Sequence, residues 1–132
     1  MDIPHGKHSI DFINETLVVT LTGTFNDLAV ERWTNEVKEI VSTYSGKPFK
    51  MLMDLSSTSG GTPEAFDVAN RYNQWLNTQN LIAKAIIYSC KMNEAIEQKY
   101  VWAKEIQNIK TFNNRREAFD WLNEYGECVQ LA

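Results

Sequence analysis

The sequence has little of several features that would point to a particular class of protein. Its 132 residues include only two cysteines, Cys90 and Cys128, and neither belongs to a paired motif. Neither a disulfide scaffold nor a cysteine-based zinc site is therefore indicated. The longest apolar runs, such as residues 85–88, fall far short of the roughly 20 residues that a membrane span requires. The N-terminus has no apolar export signal, and we expect a cytoplasmic protein with reduced thiols.

Basic residues are also scarce. Thirteen lysines and arginines against 17 acidic residues give a net charge of −4, which argues against a nucleic-acid partner because phosphate binding needs clustered basic residues. The one adjacent basic pair, Arg115-Arg116, stands at a predicted helix start, and we expect it to lie on a solvated face. His5 and His8 have no acidic or thiol companions, so neither a metal site nor a cofactor is predicted.

What remains is the composition of one globular domain. Hydrophobic residues make up 43% of the chain, and a chain of this length buries roughly two-thirds of its unfolded surface on folding. There is no internal repeat and no long linker. We expect a flexible lead-in at residues 1–7, one domain at residues 8–126 and a C-terminal tail at residues 127–132.

The apolar residues recur with two periods, and these predict an α/β fold. Alternation around Asn14-Glu15 is typical of two strands joined by a tight hairpin, and three-and-four spacing from Val30 to Tyr44 predicts a helix. The further predicted elements are a buried strand at 49–55, a helix starting at Pro63, a strand at 82–88, a helix from about Asn93 to Ile106, a strand at 109–112 and a last helix capped by Asn114. The order β-β-α-β-α-β-α-β-α predicts a mixed sheet with helices packed on it: parallel strands joined by right-handed crossovers, and the hairpin as an antiparallel edge.

A hydroxyl-rich segment after the buried strand is the best candidate site. Residues 56–62 are predicted to form a loop at the carboxyl end of a parallel strand and at the start of a helix, where open α/β sheets bind ligands. The predicted contact residues are Asp54, Ser56, Ser57, Thr58, Ser59, Gly60, Gly61, Thr62 and Glu64. The segment lacks the lysine of a P-loop, so nucleoside triphosphate binding is not expected. An ordinary exposed turn is the alternative, with Asp54 ordering the loop rather than acting as a base or metal ligand.

The element order and three local motifs resemble the STAS-like domains of the SpoIIAA-like superfamily, the bacterial anti-sigma factor antagonists and their relatives. The motifs are Leu21-Thr22-Gly23 in the hairpin, Met51-Leu52-Met53-Asp54-Leu55 before a helix, and the final Glu117-Ala118-Phe119-Asp120-Trp121-Leu122. The resemblance spans nearly the whole chain. It implies a single-domain STAS-like (SpoIIAA-like) fold and a non-enzymatic regulatory role.

The chain departs from the antagonists at their phosphorylation site. In that family a serine at the start of the helix after the third strand is phosphorylated by a kinase that is also the binding partner. Pro63 and Glu64 stand at that position here, which places the chain with a diverged group for which apolar ligands or membranes have been considered. Ser57 and Thr62 are the remaining candidate phosphoacceptors, although a helix-capping role explains Thr62 without regulation.

Two functional hypotheses follow. The first is a non-enzymatic module that binds a protein partner through residues 56–62 and the following helix. The second is a carrier or sensor of a small apolar ligand or lipid in a cleft between helices, lined by Tyr72, Trp75, Tyr100 and Trp102. No nucleophile and base are expected in contact, so an enzyme ranks last. Pairing of the first strand with a second copy leaves a homodimer open.

Overall fold

The architecture is a five-stranded sheet with helices on both faces. The computed structural model describes residues 3–126. The elements, in chain order, are β1 Lys7–Ile13, β2 Thr16–Phe25, α1 Asp27–Ser42, β3 Phe49–Gly61, α2 Pro63–Leu76, β4 Leu81–Tyr88, α3 Lys91–Tyr100, a 3₁₀ helix Trp102–Ile106, β5 Ile109–Phe112 and α4 Arg115–Leu122. The predicted order of strands and helices is confirmed, with the 3₁₀ helix as an addition.

The sheet is mixed, as predicted, and its strands lie in the order β1-β2-β3-β4-β5. β1 pairs antiparallel with β2 through a two-residue turn in which Asn14 and Glu15 have φ angles of 51° and 60°. Such left-handed turns match the twist of a hairpin, and asparagine tolerates them well. β2, β3, β4 and β5 pair in parallel. This arrangement puts the carboxyl ends of the four parallel strands at one edge of the domain.

Two cores form because alternate residues of each strand point to opposite faces of the sheet. The larger core packs against α1 and α2, and the smaller one packs against α4. The buried residues of the smaller core are Val18, Leu52, Ala83, Ala85, Ile87, Ala118 and Leu122. The first seven residues of β3, 49–55, are buried throughout, which confirms the prediction of a buried strand at these positions.

Capping side chains begin three of the helices. The side chains of Asn26, Thr62 and Asn114 accept hydrogen bonds from the backbone N–H groups of Ala29, Ala65 and Glu117. These caps satisfy donors that the first turn of a helix leaves free. Pro63, the first residue of α2, needs no such partner because it has no N–H.

The predicted long helix from about Asn93 to Ile106 is wrong in one respect. It breaks at Val101, whose backbone leaves the helical region at φ −112° and ψ 59°. The break lets Val101 insert into the domain at 2% exposure while its neighbours Tyr100 and Trp102 remain in solvent.

The segment before β1 is joined to the start of α1. The backbone N–H of His5 donates to Asn26 Oδ1 at 3.0 Å, and Asn26 Nδ2 donates to the carbonyl of Ile3 at 2.8 Å. The predicted tail at residues 127–132 lies outside the described residues, as does Cys128. Within residues 3–126, no helix combines the length and apolar character that a membrane crossing requires.

Candidate functional site

Residues 56–61 form the outer part of β3, so the prediction of a loop is wrong. β2 extends to Phe25 and offers a backbone ladder, on which Thr22 faces Ser57 and Phe25 faces Gly61. Pairing with this neighbour overrides the turn preference of serine and glycine. The register shifts twice along the ladder, and Gly60 has a φ angle of 108° that a side chain would strain.

The two faces of the sheet divide the predicted site residues. Asp54 Oδ1 accepts hydrogen bonds from the backbone N–H and the hydroxyl of Ser56, at 3.1 and 2.6 Å. Asp54 Oδ2 accepts from Arg115 Nε at 2.8 Å, and Arg115 also donates to Thr20 Oγ1 at 2.7 Å. Asp54 therefore orders the chain after the buried strand. Arg115 is partly exposed but has two side-chain partners within the domain, whereas Arg116 is exposed, as expected for a solvated face.

The balance of forces on Asp54 favours its charged form. Burial alone would raise the pKa of this carboxyl, but the hydrogen bonds from Ser56 and Arg115, with the positive charge of Arg115, lower the pKa below its usual value. An ionised, fully engaged carboxylate is a poor general base. Its geometry instead fits a structural role on the face that α4 covers.

On the opposite face, the sheet, α2 and α3 enclose a cavity of about 270 Å³. The outer part of β3 contributes one wall through Thr58, Ser59, Gly60 and Gly61. Most of the remaining lining is apolar, and includes Leu21, Phe25, Val30, Trp33, Met53, Leu55, Ala65, Phe66, Ala69, Tyr72, Ile86, Ile96 and Val101. Four predicted contact residues thus line a cavity, while Ser57 and Glu64 are exposed and Thr62 caps α2.

One end of the cavity is polar. Lys84, on β4, is 2% exposed, and its Nζ donates to Asn73 Oδ1 at 2.9 Å. Beside it, Lys104 Nζ lies 2.5 Å from Glu97 Oε1 and donates to the hydroxyl of Tyr88 at 2.8 Å. These five side chains lie at one end of a mostly apolar lining, where their interactions are poorly screened.

Burial dominates the electrostatics of this polar end. It lowers the pKa of Lys84 to about 7, with a further lowering from the charge of Lys104 and an opposing effect of Glu97. Burial also raises the pKa of Tyr88, and the charges of Glu97 and Glu94 act in the same direction. Burial therefore disfavours the charged form of both groups.

The four aromatic residues predicted to line a cleft are not brought together. Tyr72 lines the cavity, and its ring meets Trp33 edge-on at 5.1 Å. Trp75 packs instead against Tyr72 and beneath Lys38. Tyr100 and Trp102 are 51% and 54% exposed and do not line the cavity.

The remaining candidates from the sequence have local partners. His8 Nε2 lies 3.1 Å from Glu36 Oε2, and in residues 3–126 there is no group of three His, Cys, Asp or Glu side chains that could hold a metal ion. Cys90 is exposed, and its sulfur caps α3 by accepting from the N–H of Asn93 at 3.4 Å. The expected structural thiol is thus a helix cap.

Sequence reasoning missed the polar end of the cavity. Lys84 lies inside the apolar strand predicted at 82–88. Because lysine is rarely buried, its presence at a position predicted to be buried could have marked it as a candidate site residue. Asn73 and Glu97 occupy helix positions that carry no comparable signal. Their meeting with Lys84 depends on how α2 and α3 cross the sheet, which the spacing of apolar residues does not specify.

Comparison with known proteins supports the fold. No family model matches the sequence, and no curated protein matches it. An uncharacterised protein of the DUF3478 family with a SpoIIAA-like fold, from Shewanella loihica PV-4, is 17% identical and has a TM-score of 0.69, over 92% of this chain and 97% of that one. The anti-sigma factor antagonist SpoIIAA in its unphosphorylated form is 11% identical, with a TM-score of 0.62, over 90% of this chain and 100% of that one.

At these identities the likeness concerns the fold. It agrees with the mixed five-stranded sheet, the antiparallel edge strand and the helices on both faces. The resemblance to STAS-like domains that the sequence motifs indicate is confirmed at this level. The chain has a SpoIIAA-like fold.

Proposed function

We propose that the protein is a non-enzymatic binding module that holds a small, largely apolar ligand in the cavity between the sheet, α2 and α3. The observation that carries this proposal is the cavity itself, whose volume of about 270 Å³ approaches the lower end of the range for ligand pockets. A mostly apolar lining with a few convergent polar groups is typical of such pockets.

Two further features support a binding role. The indole Nε1 of Trp33, a lining residue, is buried without a hydrogen-bond partner among the described residues. Buried donors normally have a partner, and a ligand acceptor would supply one. The wall formed by residues 58–61 comes from a strand extension with two register shifts, and such irregular edges are common next to binding sites.

A titration with octanol, observed by calorimetry, tests the proposal. Octanol is small and uncharged, so it reports on the apolar cavity alone. We expect one molecule to bind per chain, and we expect Ala69→Phe to abolish binding because Ala69 lines the cavity and the larger ring fills it. Gln98 is exposed on α3, away from the lining, and Gln98→Phe is the matched control. Absence of binding to the unmodified chain, or equal binding by both variants, contradicts the proposal.

A second candidate function is favoured by a separate surface. The large apolar side chains Met92, Tyr100, Trp102 and Ile106 are 71%, 51%, 54% and 79% exposed along α3 and the 3₁₀ helix. Exposed apolar side chains on neighbouring elements suit a protein partner, and one protein of similar fold is an anti-sigma factor antagonist.

Affinity capture from the native cell tests which of two surfaces binds a protein partner: the exposed apolar side chains of α3 and the 3₁₀ helix, or the segment 56–62. One bait carries Trp102→Ser with Ile106→Ser, and a second carries Ser57→Ala with Thr62→Ala. We expect a partner of the unmodified chain to be lost from the first bait. A partner list that neither bait changes argues against both surfaces.

A further inference from the structure

Lys84 is a buried cation without an anionic partner. Its Nζ has one hydrogen bond, to the neutral amide oxygen of Asn73. Among residues 3–126, no carboxylate oxygen lies within 4.0 Å of this nitrogen. An ammonium group can donate three hydrogen bonds, and burying it unpaired is costly. The fold therefore places an unpaired donor of positive charge at the end of a cavity.

The neighbours of Lys84 do not neutralise it. Glu97 of α3 is engaged by Lys104 of the 3₁₀ helix at 2.5 Å, and Tyr88 of β4 accepts from the same lysine. Asn73 and Tyr72 are the residues of α2 at this end, and neither carries a negative charge; the pKa of Tyr72 is itself raised by burial. Of the charged groups that act on Lys84, Lys104 and Glu97 pair with each other, and Glu94 acts on Tyr88. Lys84 is therefore left without an anion of its own.

Lys50, in the same sheet, is a buried lysine that lies at the end of a helix instead of beside a cavity. It is 3% exposed on β3, and its Nζ donates to the carbonyl oxygen of Leu122 at 3.0 Å. Leu122 is the last residue of α4, where the helix dipole and the free carbonyl groups favour a cation. Lys50 therefore has a structural partner of suitable polarity, whereas Lys84 faces the cavity.

We propose that the ligand of this cavity carries a single carboxylate that pairs with Lys84, with an aliphatic chain that lies along the sheet. This inference rests on the proposed ligand-binding function and narrows it to one chemical class. One lysine without a carboxylate partner calls for a single negative charge, and the nearby carboxylate of Glu97 disfavours a group with two.

The direction of the aliphatic chain follows from the strand geometry. Lys84, Ile86 and Tyr88 are alternate residues of β4 and line the same cavity. From Lys84 the lining continues past Ile86 toward Thr58 and Ser59 at the carboxyl end of the sheet, and Ser59 is exposed. The carboxylate accordingly lies at the inner end, and the apolar tail extends toward the solvent.

Octanoate, octanol and octylamine form a probe series of one chain length that differs in the charge of the head group. We expect octanoate to bind at least about tenfold more tightly than octanol near pH 6.5, where Lys84 is mostly protonated, and octylamine to bind most weakly. Lys84→Met should remove the preference for octanoate and keep octanol binding. Lys50→Met, the matched control, should keep both affinities.

A second readout is the uptake of protons. At pH 8 Lys84 is mostly neutral in the free protein, and a bound carboxylate stabilises its charged form, so binding should take up a proton in the unmodified chain and not in Lys84→Met. Calorimetry in buffers of different ionisation enthalpy measures this uptake, and thermal unfolding shows that each variant is folded.

The outcomes distinguish the two proposals. If octanol binds and octanoate gains nothing over it, the carboxylate inference is overturned while ligand binding stands. If none of the three probes binds to the folded unmodified chain, both proposals are overturned. An octanoate preference that survives in Lys84→Met also overturns the inference, because the preference would then come from another cation.

Discussion

The two faces of the sheet treat buried polar groups differently. On the face that α4 covers, Lys50 donates to the end of a helix, and Asp54 is engaged by Arg115. On the face that α1, α2 and α3 cover, Lys84 has a single neutral partner and lies beside a cavity. Each lysine has one hydrogen bond to a neutral oxygen, but Lys50 lies at a helix end, whereas Lys84 lines a cavity.

This difference distinguishes buried polar groups that stabilise the fold from buried polar groups that belong to a binding site. A buried polar group whose partners are all internal stabilises one arrangement of the chain. A buried ionisable group with a shifted pKa and no partner of opposite charge points to a site that a ligand occupies. Lysine is unusual in a buried strand. Its contacts decide whether it stabilises the fold or binds a ligand.

The largest expected effect is a pH dependence of stability that arises on the cavity face. Because folding lowers the pKa of Lys84 from its ordinary value of 10.5 to about 7, the unfolded chain binds more protons between these values. The free energy of unfolding should therefore rise with pH across this window, by about 3 kcal/mol between about pH 7 and about pH 9.5 for this group alone.

Lys84→Met isolates that contribution. We expect the difference in free energy of unfolding between the variant and the unmodified chain to favour the variant near pH 7 and to shrink as the pH rises. Urea unfolding at several pH values measures it. The range ends below about pH 10 because buried Tyr72 and Tyr88, whose pKa values are raised, begin to favour the unfolded chain above that pH. A pH-independent difference would contradict the assignment.

A pair of alanines compares the packing of the two faces. Ala85 is buried against α4 at 0% exposure, and Ala65 lines the cavity at 3% exposure. Ala85→Leu should lower the free energy of unfolding by about 1–3 kcal/mol because the added carbons have no space. Ala65→Leu should cost clearly less and should weaken octanol binding, since its side chain can enter the cavity. Equal losses measured by urea unfolding would show that the cavity is not an available space.

The sequence predicts the fold well because the signals for it are local. Alternation, helical spacing and caps such as Thr62 and Asn114 each act within a few residues, and the order of elements then restricts the topology. The two errors arise where tertiary contacts outweigh local preference. Residues 56–61 pair with β2 although their composition favours a turn, and Val101 leaves its helix to reach the core.

The site is only partly predictable for the same reason. The segment 56–62 indicates the correct edge of the sheet, because strand ends can be read from the sequence. It does not indicate that residues 58–61 line a cavity on one face of the sheet. Nor does it indicate that the Ser56 hydroxyl donates a hydrogen bond to Asp54 on the other face. The partners of Lys84 come from α2, α3 and the 3₁₀ helix, far apart in the chain, so no spacing rule connects them.

The smallest expected effect lies on the α4 face and concerns the charge of Asp54. Asp54→Asn retains an oxygen that can accept from Ser56 and removes the charge that faces Arg115, whose side chain is 40% exposed. Solvent therefore screens the pair, and we expect a loss of about 1 kcal/mol in the free energy of unfolding near pH 7. Since the folded pKa of Asp54 is lowered from 3.8, this contribution is fully present above that pH and disappears as the pH falls through the folded pKa. Urea unfolding near pH 7 in low and high salt checks the prediction. A loss that salt does not reduce would mean that hydrogen-bond geometry, rather than charge, holds α4 against β3.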